Sequence, residues 1–500
     1  METSEEKASQ ASLEVQRSIA EHTHKHRWWI LAVVAIAQLM VVLDATVVNI
    51  ALPSAQKALA FSNADRQWIV TGYALSFGSL LLLGGRIADL FGRKITFIVG
   101  LFGFAIASAV GGASTGFPML VTARAVQGAF GALLAPAALS LLTTTFTSSE
   151  ERGKAFGIYG AIAGAGGAIG LLLGGFLTEY LSWRWSLYVN LIFAVAAAIG
   201  GIVFLTKDHH EEKPKLDIPG VALASAAMFS IVYGFSHAET TSWSNSITVG
   251  FLVAAAVLLV AFIFTETKVD HPLLPMRVVL DRNRGGAYLS VFIASVGMFG
   301  VFLFLTYYLQ ETLGYSPVKT GLAFIPMIAL LVVVATASTA KLLPKFGPKY
   351  LVALGMFVAA GGMLMLSRVS INSSYTGVVL PALLILGAGL GGVMAPSMNT
   401  ATAGVSAADA GVASATVNTS QQIGGSIGTA LLNTLAASAG TAFLAGKVLS
   451  RQVLAEAAVH SYITAFRWSA LVFAIGGVLA ALLLKPGAPK LDNSQPMVMH

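Results

Sequence analysis

No cysteine occurs anywhere in this chain. That absence excludes disulfides, thiol catalysis and cysteine-ligated metal centres. Charge is also scarce: Asp, Glu, Lys and Arg make up 11% of the 500 residues, against about 25% in soluble domains. There is no P-loop, no dinucleotide-binding glycine fingerprint and no H-E-x-x-H pattern, so common nucleotide and zinc chemistries have no seat. No catalytic constellation is visible, and an enzyme is not expected. The polar segment 1–27 carries mixed charge and lacks the apolar centre of a secretory signal. Its alternating His22, His24 and His26 suit adventitious metal binding better than a built site.

What is present is apolar surface. Hydrophobic residues make up 56% of the chain. Windows of about 20 apolar residues, enough to cross a bilayer, fall near 28–52, 67–85, 95–114, 117–142, 155–179, 185–205, 217–237, 246–265, 286–309, 319–341, 349–367, 376–400, 410–436 and 463–484. Fourteen windows place both termini on one side. With that side taken as inner, the outer segments hold only Lys57, Arg66, Arg184, Lys319, Arg368, Lys447, Arg451 and Arg467 of the 30 Lys and Arg residues. The positive-inside rule therefore predicts cytoplasmic termini. The net charge of +7 is explained by these inner loops, so no nucleic-acid partner is expected.

The halves echo each other. The segment Gly85–Lys94 aligns with Ala340–Lys349, setting Phe91-Gly92 on Phe346-Gly347. Gly131 with Ala135-Pro136 aligns with Gly391 with Ala395-Pro396. Gly166-Gly167-Ala168-Ile169-Gly170 aligns with Gly424-Gly425-Ser426-Ile427-Gly428. Matches in order at nearly constant offset argue for a duplicated six-span unit, with a central site between the copies. The predicted organisation is a tail (1–27), an N-terminal six-helix bundle (28–205), a two-helix linker region (206–284), a C-terminal six-helix bundle (285–485) and a tail (486–500).

Ionisable residues inside spans are the first functional candidates, because each is costly in lipid. Asp44 and Arg124 stand out, at similar depths in spans 1 and 4. A desolvated carboxyl can exchange a proton in the neutral range, so Asp44 is the proton-coupling candidate. Arg124 keeps its charge and would tune Asp44. The simpler reading is that the two are fixed structural partners. Arg124, Gln127, Gly128 and Gly131 share one helix face. Gly164, Gly170, Gly174 and Gly175 lie in a glycine-dense span 5, suited to bending or close packing. Asn49, Gln127, Asn418, Gln421 and Gln422 are candidates to line a substrate cavity. The short loop carrying Gly85, Asp89, Gly92, Arg93 and Lys94 combines a tight turn with basic residues and an acid.

These motifs resemble the fourteen-span drug:H+ antiporter family of the major facilitator superfamily. The likeness rests on the Gly85–Lys94 loop, on Leu43-Asp44-Ala45-Thr46-Val47-Val48-Asn49-Ile50-Ala51-Leu52-Pro53, on Arg124-x-x-Gln127-Gly128 and on the span 5 glycines. Leu90 stands where that family usually has a basic residue, and Leu171 where it has proline. The resemblance implies an all-α integral membrane protein of the major facilitator fold, with two six-helix bundles plus two inserted linker helices, 14 transmembrane helices in all. It implies a monomeric, proton-coupled exporter of amphipathic organic compounds in a bacterial cytoplasmic membrane. The Asp89 loop would act as a gate, and the proton gradient would serve in place of a cofactor. A periplasmic adaptor stays open. So do two rival functions: a metabolite uniporter or symporter of the same fold, and a non-transporting membrane sensor.

Overall fold

The computed structural model describes residues 4–146, 149–206, 217–269, 272, 274, 276–405 and 410–487. Every regular element among them is helical. The first eight helices are α1 (Ser4–Leu59), α2 (Asn63–Phe91), α3 (Arg93–Gly112), α4 (Phe117–Thr145), α5 (Ser149–Tyr180), α6 (Trp185–Phe204), α7 (Ile218–Thr240) and α8 (Ser246–Glu266). After the single turn α9 (Met276–Val279) come α10 (Arg282–Tyr307), α11 (Pro317–Ala337), α12 (Leu343–Leu366), α13 (Leu380–Thr402), α14 (Ala410–Leu444) and α15 (Arg451–Leu483).

Helix starts are written locally. Ser62, Asn245, Ser316 and Ser450 each accept a hydrogen bond from a first-turn amide, satisfying donors that a helix N-terminus leaves open. Each apolar window falls on a long helix. Eleven helical stretches among the described residues are long and apolar enough to cross a membrane. This is fewer than the windows for two reasons. The stretch Pro317–Leu366 is continuous over two of them, and the described residues of α2 and α5 give only the shorter apolar stretches Trp68–Leu81 and Ile169–Tyr180.

Two bundles result. In the first, α1 packs on α5 and α6, α2 on α4, and α3 on α4 and α6. In the second, α10 packs on α14 and α15, α11 on α13, and α12 on α13 and α15. The linker helices α7 and α8 pair with each other, and α7 also lies against α2 and α14, one helix from each bundle. The internal repeat is visible in the backbone. Gly92 and its counterpart Gly347 both adopt positive φ, 90° and 74°, a region that side chains avoid. Gly166 and Gly170 face Val42 and Thr46 of α1, and Gly424 and Gly428 face Phe292 and Val296 of α10 in the same manner.

The bundles touch at the end where α1 finishes and α2 begins, here called the Leu59 end. A side chain at Gly175 of α5 would lie 2.6 Å from the Pro317 carbonyl of α11, and one at Gly321 of α11 would lie 2.6 Å from the Leu171 carbonyl. Leu171, in place of the family's usual proline, is itself fully buried. Polar contacts fasten the same end. Arg66 Nη1 of α2 pairs with Glu311 Oε1, in the turn after α10, at 2.5 Å. Tyr462 of α15 donates to Glu311 Oε2 at 2.9 Å, and the Arg66 guanidinium stacks 3.7 Å from the Tyr307 ring centre. Gln310 donates to the Ile50 carbonyl at 3.2 Å.

This clasp makes a prediction. Glu311 keeps 35% of its side chain exposed, so losing the pair should cost only about 1 kcal/mol of stability. Glu311→Gln should nevertheless loosen the Leu59 end. A cysteine at Leu171, placed in this cysteine-free chain, should then react faster with a thiol reagent than in the parent. An unchanged rate would show that apolar packing alone holds this end shut.

Candidate functional site

Asp44 lies on α1 with none of its surface exposed, and Arg124 on α4 with 2%. Burying two charges is costly unless they pair and their remaining polar atoms are satisfied. Both conditions hold. Arg124 Nη1 donates to Asp44 Oδ2 at 2.6 Å. Gln127 Nε2 and Asn190 Nδ2 each donate to Asp44 Oδ1 at 2.8 Å. Gln127 also donates to Ser108 Oγ at 2.8 Å, and Ser108 donates to the Phe104 carbonyl at 2.7 Å. Arg124 spends its other contacts on Gln127 Oε1 at 2.5 Å, the Ile69 carbonyl at 3.4 Å and the Tyr73 ring at 4.3 Å. Four helices of the first bundle, α1, α3, α4 and α6, thus converge on one carboxylate.

The hydrogen bonds define what the site can do. Three donors face the two oxygens of Asp44, an arrangement that fits the carboxylate form. A proton on Oδ1 would displace one of its two amide donors, and a proton on Oδ2 would remove the negative charge that Arg124 pairs with. A cavity of about 10 Å³, lined by Val48, Ile69, Leu120 and Ser186 among others, reaches Arg124 from the Leu59 end. That is the lower limit for a single water. Asn190 Oδ1 is buried and accepts no hydrogen bond among the described residues.

The expected residues divide by location. Asp44 and Arg124 are brought together. Gln127, expected toward a substrate cavity, is instead 1% exposed and engaged in the carboxylate network. Asn49 is also buried and donates to the Ala45 carbonyl of its own helix at 3.1 Å. Asn418, Gln421 and Gln422 are half-buried on α14. Gly128 lets α4 approach the backbone of α2 at Tyr73 and Phe77. Gly170 and Gly174 face Thr46 and Val47 of α1, within one turn of Asp44. Gly164 lies on α5 and Asp89 near the end of α2; the surroundings of both lie outside the described residues.

The loop reads differently in three dimensions. Gly85 sits against Pro136 of α4, and Gly92 alone joins α2 to α3. Arg93 opens α3. Lys94 donates to the Ile202 carbonyl at 3.0 Å and also to that of Leu205, placing a cation at the C-terminal end of α6, where the helix dipole favours it.

Sequence reasoning passed over Asn190, Ser108 and Tyr73. Asn190 carried a usable signal, an amide inside a span of mean hydropathy 2.3. Ser108 and Tyr73 carried none, since Ser and Tyr are common in spans.

The profile of the Major Facilitator Superfamily matches residues 34–429. A puromycin resistance protein of Streptomyces alboniger is 46% identical over 487 residues, covering 97% of this chain and 96% of that protein. The tetracenomycin C resistance and export protein of Streptomyces glaucescens is 35% identical over 412 residues, covering 82% and 76%. Among solved structures, a bacterial homolog of the human lysosomal transporter Spinster, inward-facing and occupied, matches with a TM-score of 0.63 at 15% identity, covering 92% of this chain and 97% of that one.

The buried network predicts strong coupling. Arg124→Ala strands a buried carboxylate and should cost about 3–5 kcal/mol. Combining it with Asp44→Asn should cost clearly less than the two single changes added together. Denaturant unfolding of the four proteins in detergent measures the difference. Simple additivity would mean that the two side chains do not act as a pair.

Proposed function

The chain belongs to the Major Facilitator Superfamily, a family of transporters and not enzymes, and from that premise we propose that it is a proton-coupled antiporter exporting amphipathic organic compounds. The observation that carries the proposal is the buried Asp44–Arg124 pair with its ring of amide donors. The relatives named for resistance to puromycin and for tetracenomycin C export support antibiotics as the substrate class.

The packing supports a route from proton to motion. Protonation of Asp44 breaks its pairing with Arg124 and shifts the turn of α1 that holds Leu43, Thr46 and Val47. Gly170 and Gly174 of α5 lie directly on that turn, and the next residue, Gly175, lies on α11 of the other bundle. A change at Asp44 is thereby felt where the bundles touch. The two bundles rock about a central site, and protons and substrate bias the same equilibrium through their differential affinity for its two states. Asn418, Gln421 and Gln422 are the amides that would meet substrate from α14. In the membrane this reading places both termini, with the Gly92 loop, in the cytoplasm and the Leu59 end outside. The protein would act as a monomer with no cofactor beyond the proton gradient. An adaptor on the outer side would meet it at the Leu59 end.

Asp44→Asn keeps shape and removes the exchangeable proton. It should leave substrate binding measurable and lower proton-driven efflux by about tenfold or more, within the range of ordinary coupling energies. Substrate-induced proton release from purified protein, with a growth-inhibition panel including puromycin in a pump-deleted host, checks this. Proton release and uphill efflux equal to wild type would remove Asp44 from the coupling step. Flux independent of a proton gradient would point to a uniporter, and binding without flux to a sensor.

Orientation is tested separately. Val448, between α14 and α15, is 89% exposed, and Thr267, just after α8, is exposed on the opposite side. An impermeant thiol reagent applied to intact cells should label Val448→Cys and spare Thr267→Cys. The reverse pattern would invert the topology.

A further inference from the structure

The linker helices carry a second buried acidic centre, remote from Asp44. Asp217 immediately precedes α7 and Glu266 ends α8; they are 1% and 3% exposed. One oxygen of each is accounted for. Asp217 Oδ1 accepts from the Gly220 amide at 2.8 Å, and Glu266 Oε2 accepts from the Leu274 amide at 2.8 Å. The other two oxygens, Asp217 Oδ2 and Glu266 Oε1, are buried and accept nothing among the described residues. Both crowd the same point, since a side chain at Gly220 would collide with each of them. The two carboxyls lie within side-chain hydrogen-bonding reach of one another.

Two ionised carboxylates so placed would have no donor to share and would repel in a medium of low dielectric. One shared proton removes both problems, turning a repulsion into a charge-assisted hydrogen bond. We propose that Asp217 and Glu266 form a proton-sharing pair that pins the ends of the two linker helices together and makes the linker's seat on the first bundle depend on pH.

The neighbours give the pair its reach. Among the described residues, the charged groups acting on Glu266 are Asp217 and Arg86. Arg86 belongs to α2, six residues before the Gly92 turn, and its Nη2 donates to the Pro272 carbonyl at 3.4 Å. The α7 helix spans from α2 to α14. With one proton on the pair, the α7 start, the α8 end and the segment through Pro272 are drawn together beside Arg86. Loss of that proton leaves two buried negative charges, which separate or pull Arg86 away from Pro272. Either way the linker's grip on α2 changes, in a direction set by pH on the side that the Gly92 loop faces. The pair's response to pH depends on neither the substrate nor the direction of transport.

The test uses the full chain in detergent, with spin labels on cysteines introduced at Ile218 and Thr267. The distance between labels is read by pulsed electron paramagnetic resonance from about pH 5 to about pH 9, a range wide enough to cover a raised carboxyl pKa. The carboxylic-acid C=O band is followed by infrared spectroscopy over the same range. In the parent the distance should lengthen as pH rises, and the acid band should fade with it. Glu266→Gln supplies a permanent donor to Asp217 and keeps an oxygen for Leu274. It should hold the short distance throughout and lose the titrating band. Asp217→Asn retains a helix cap and should abolish the pH response from the other side of the pair. A parent distance that does not change with pH overturns the proposal. So does a pH response or a titrating band that survives in either variant.

Discussion

The transport core turns on one carboxylate removed from water. Asp44 is tolerable at the centre of the first bundle only because Arg124 neutralises it and Gln127 and Asn190 complete its hydrogen bonds. That requirement sets the rotation of α1, α4 and α6 about their axes. It also ties three helices to one side chain, so a change at Asp44 cannot stay local to α1.

Around that centre, small residues replace bulk. In lipid, helices gain little from hydrophobic association and depend on close packing. The α5 glycines serve two contacts at once, facing α1 beside Asp44 and α11 of the other bundle. A helix pressed between the charged centre and the inter-bundle seam is well placed to pass a small shift from one to the other. The second bundle repeats the packing of α14 on α10 but has no equivalent of the buried pair at the matched turn, where Phe292 and Val296 stand. The duplication has thus preserved the scaffold in both halves and the charge in one.

The two ends of the molecule are fastened by different chemistry. At the Leu59 end a half-buried ion pair, a tyrosine and tight backbone contacts join the bundles directly. The linker joins them differently, with α7 lying against a helix of each bundle and a buried acidic pair at the other end, at its root. Most of α8 faces outward, its span only 17% buried, so the linker is held chiefly through α7. A linker attached in this way can bias the bundles without lining the path between them.

Much of this was legible in the chain itself. Apolar runs long enough to cross a bilayer dictate a helical membrane protein, since only helices or closed barrels satisfy the backbone in lipid. Intramembrane Asp44 and Arg124 announce themselves because uncompensated charge there is so costly. Gly92 and Gly347 announce turns, because few other residues adopt their backbone angles. The partners of Asp44 were not legible. Gln127 sits three residues from Arg124 and reads equally as a cavity residue, and Asn190 is distant in sequence. Which amide turns inward depends on helix rotation within the packed bundle. That Lys94 reaches the last carbonyls of α6 was not legible either, since α6 lies about a hundred residues further along the chain. The Asp217–Glu266 pair could not be seen at all, since two acids nearly fifty residues apart reveal nothing until α7 and α8 fold against each other. Local chemistry and burial cost are properties of residues, so the sequence carries them. Hydrogen-bond partners across helices are properties of packing, and only the tertiary structure decides them.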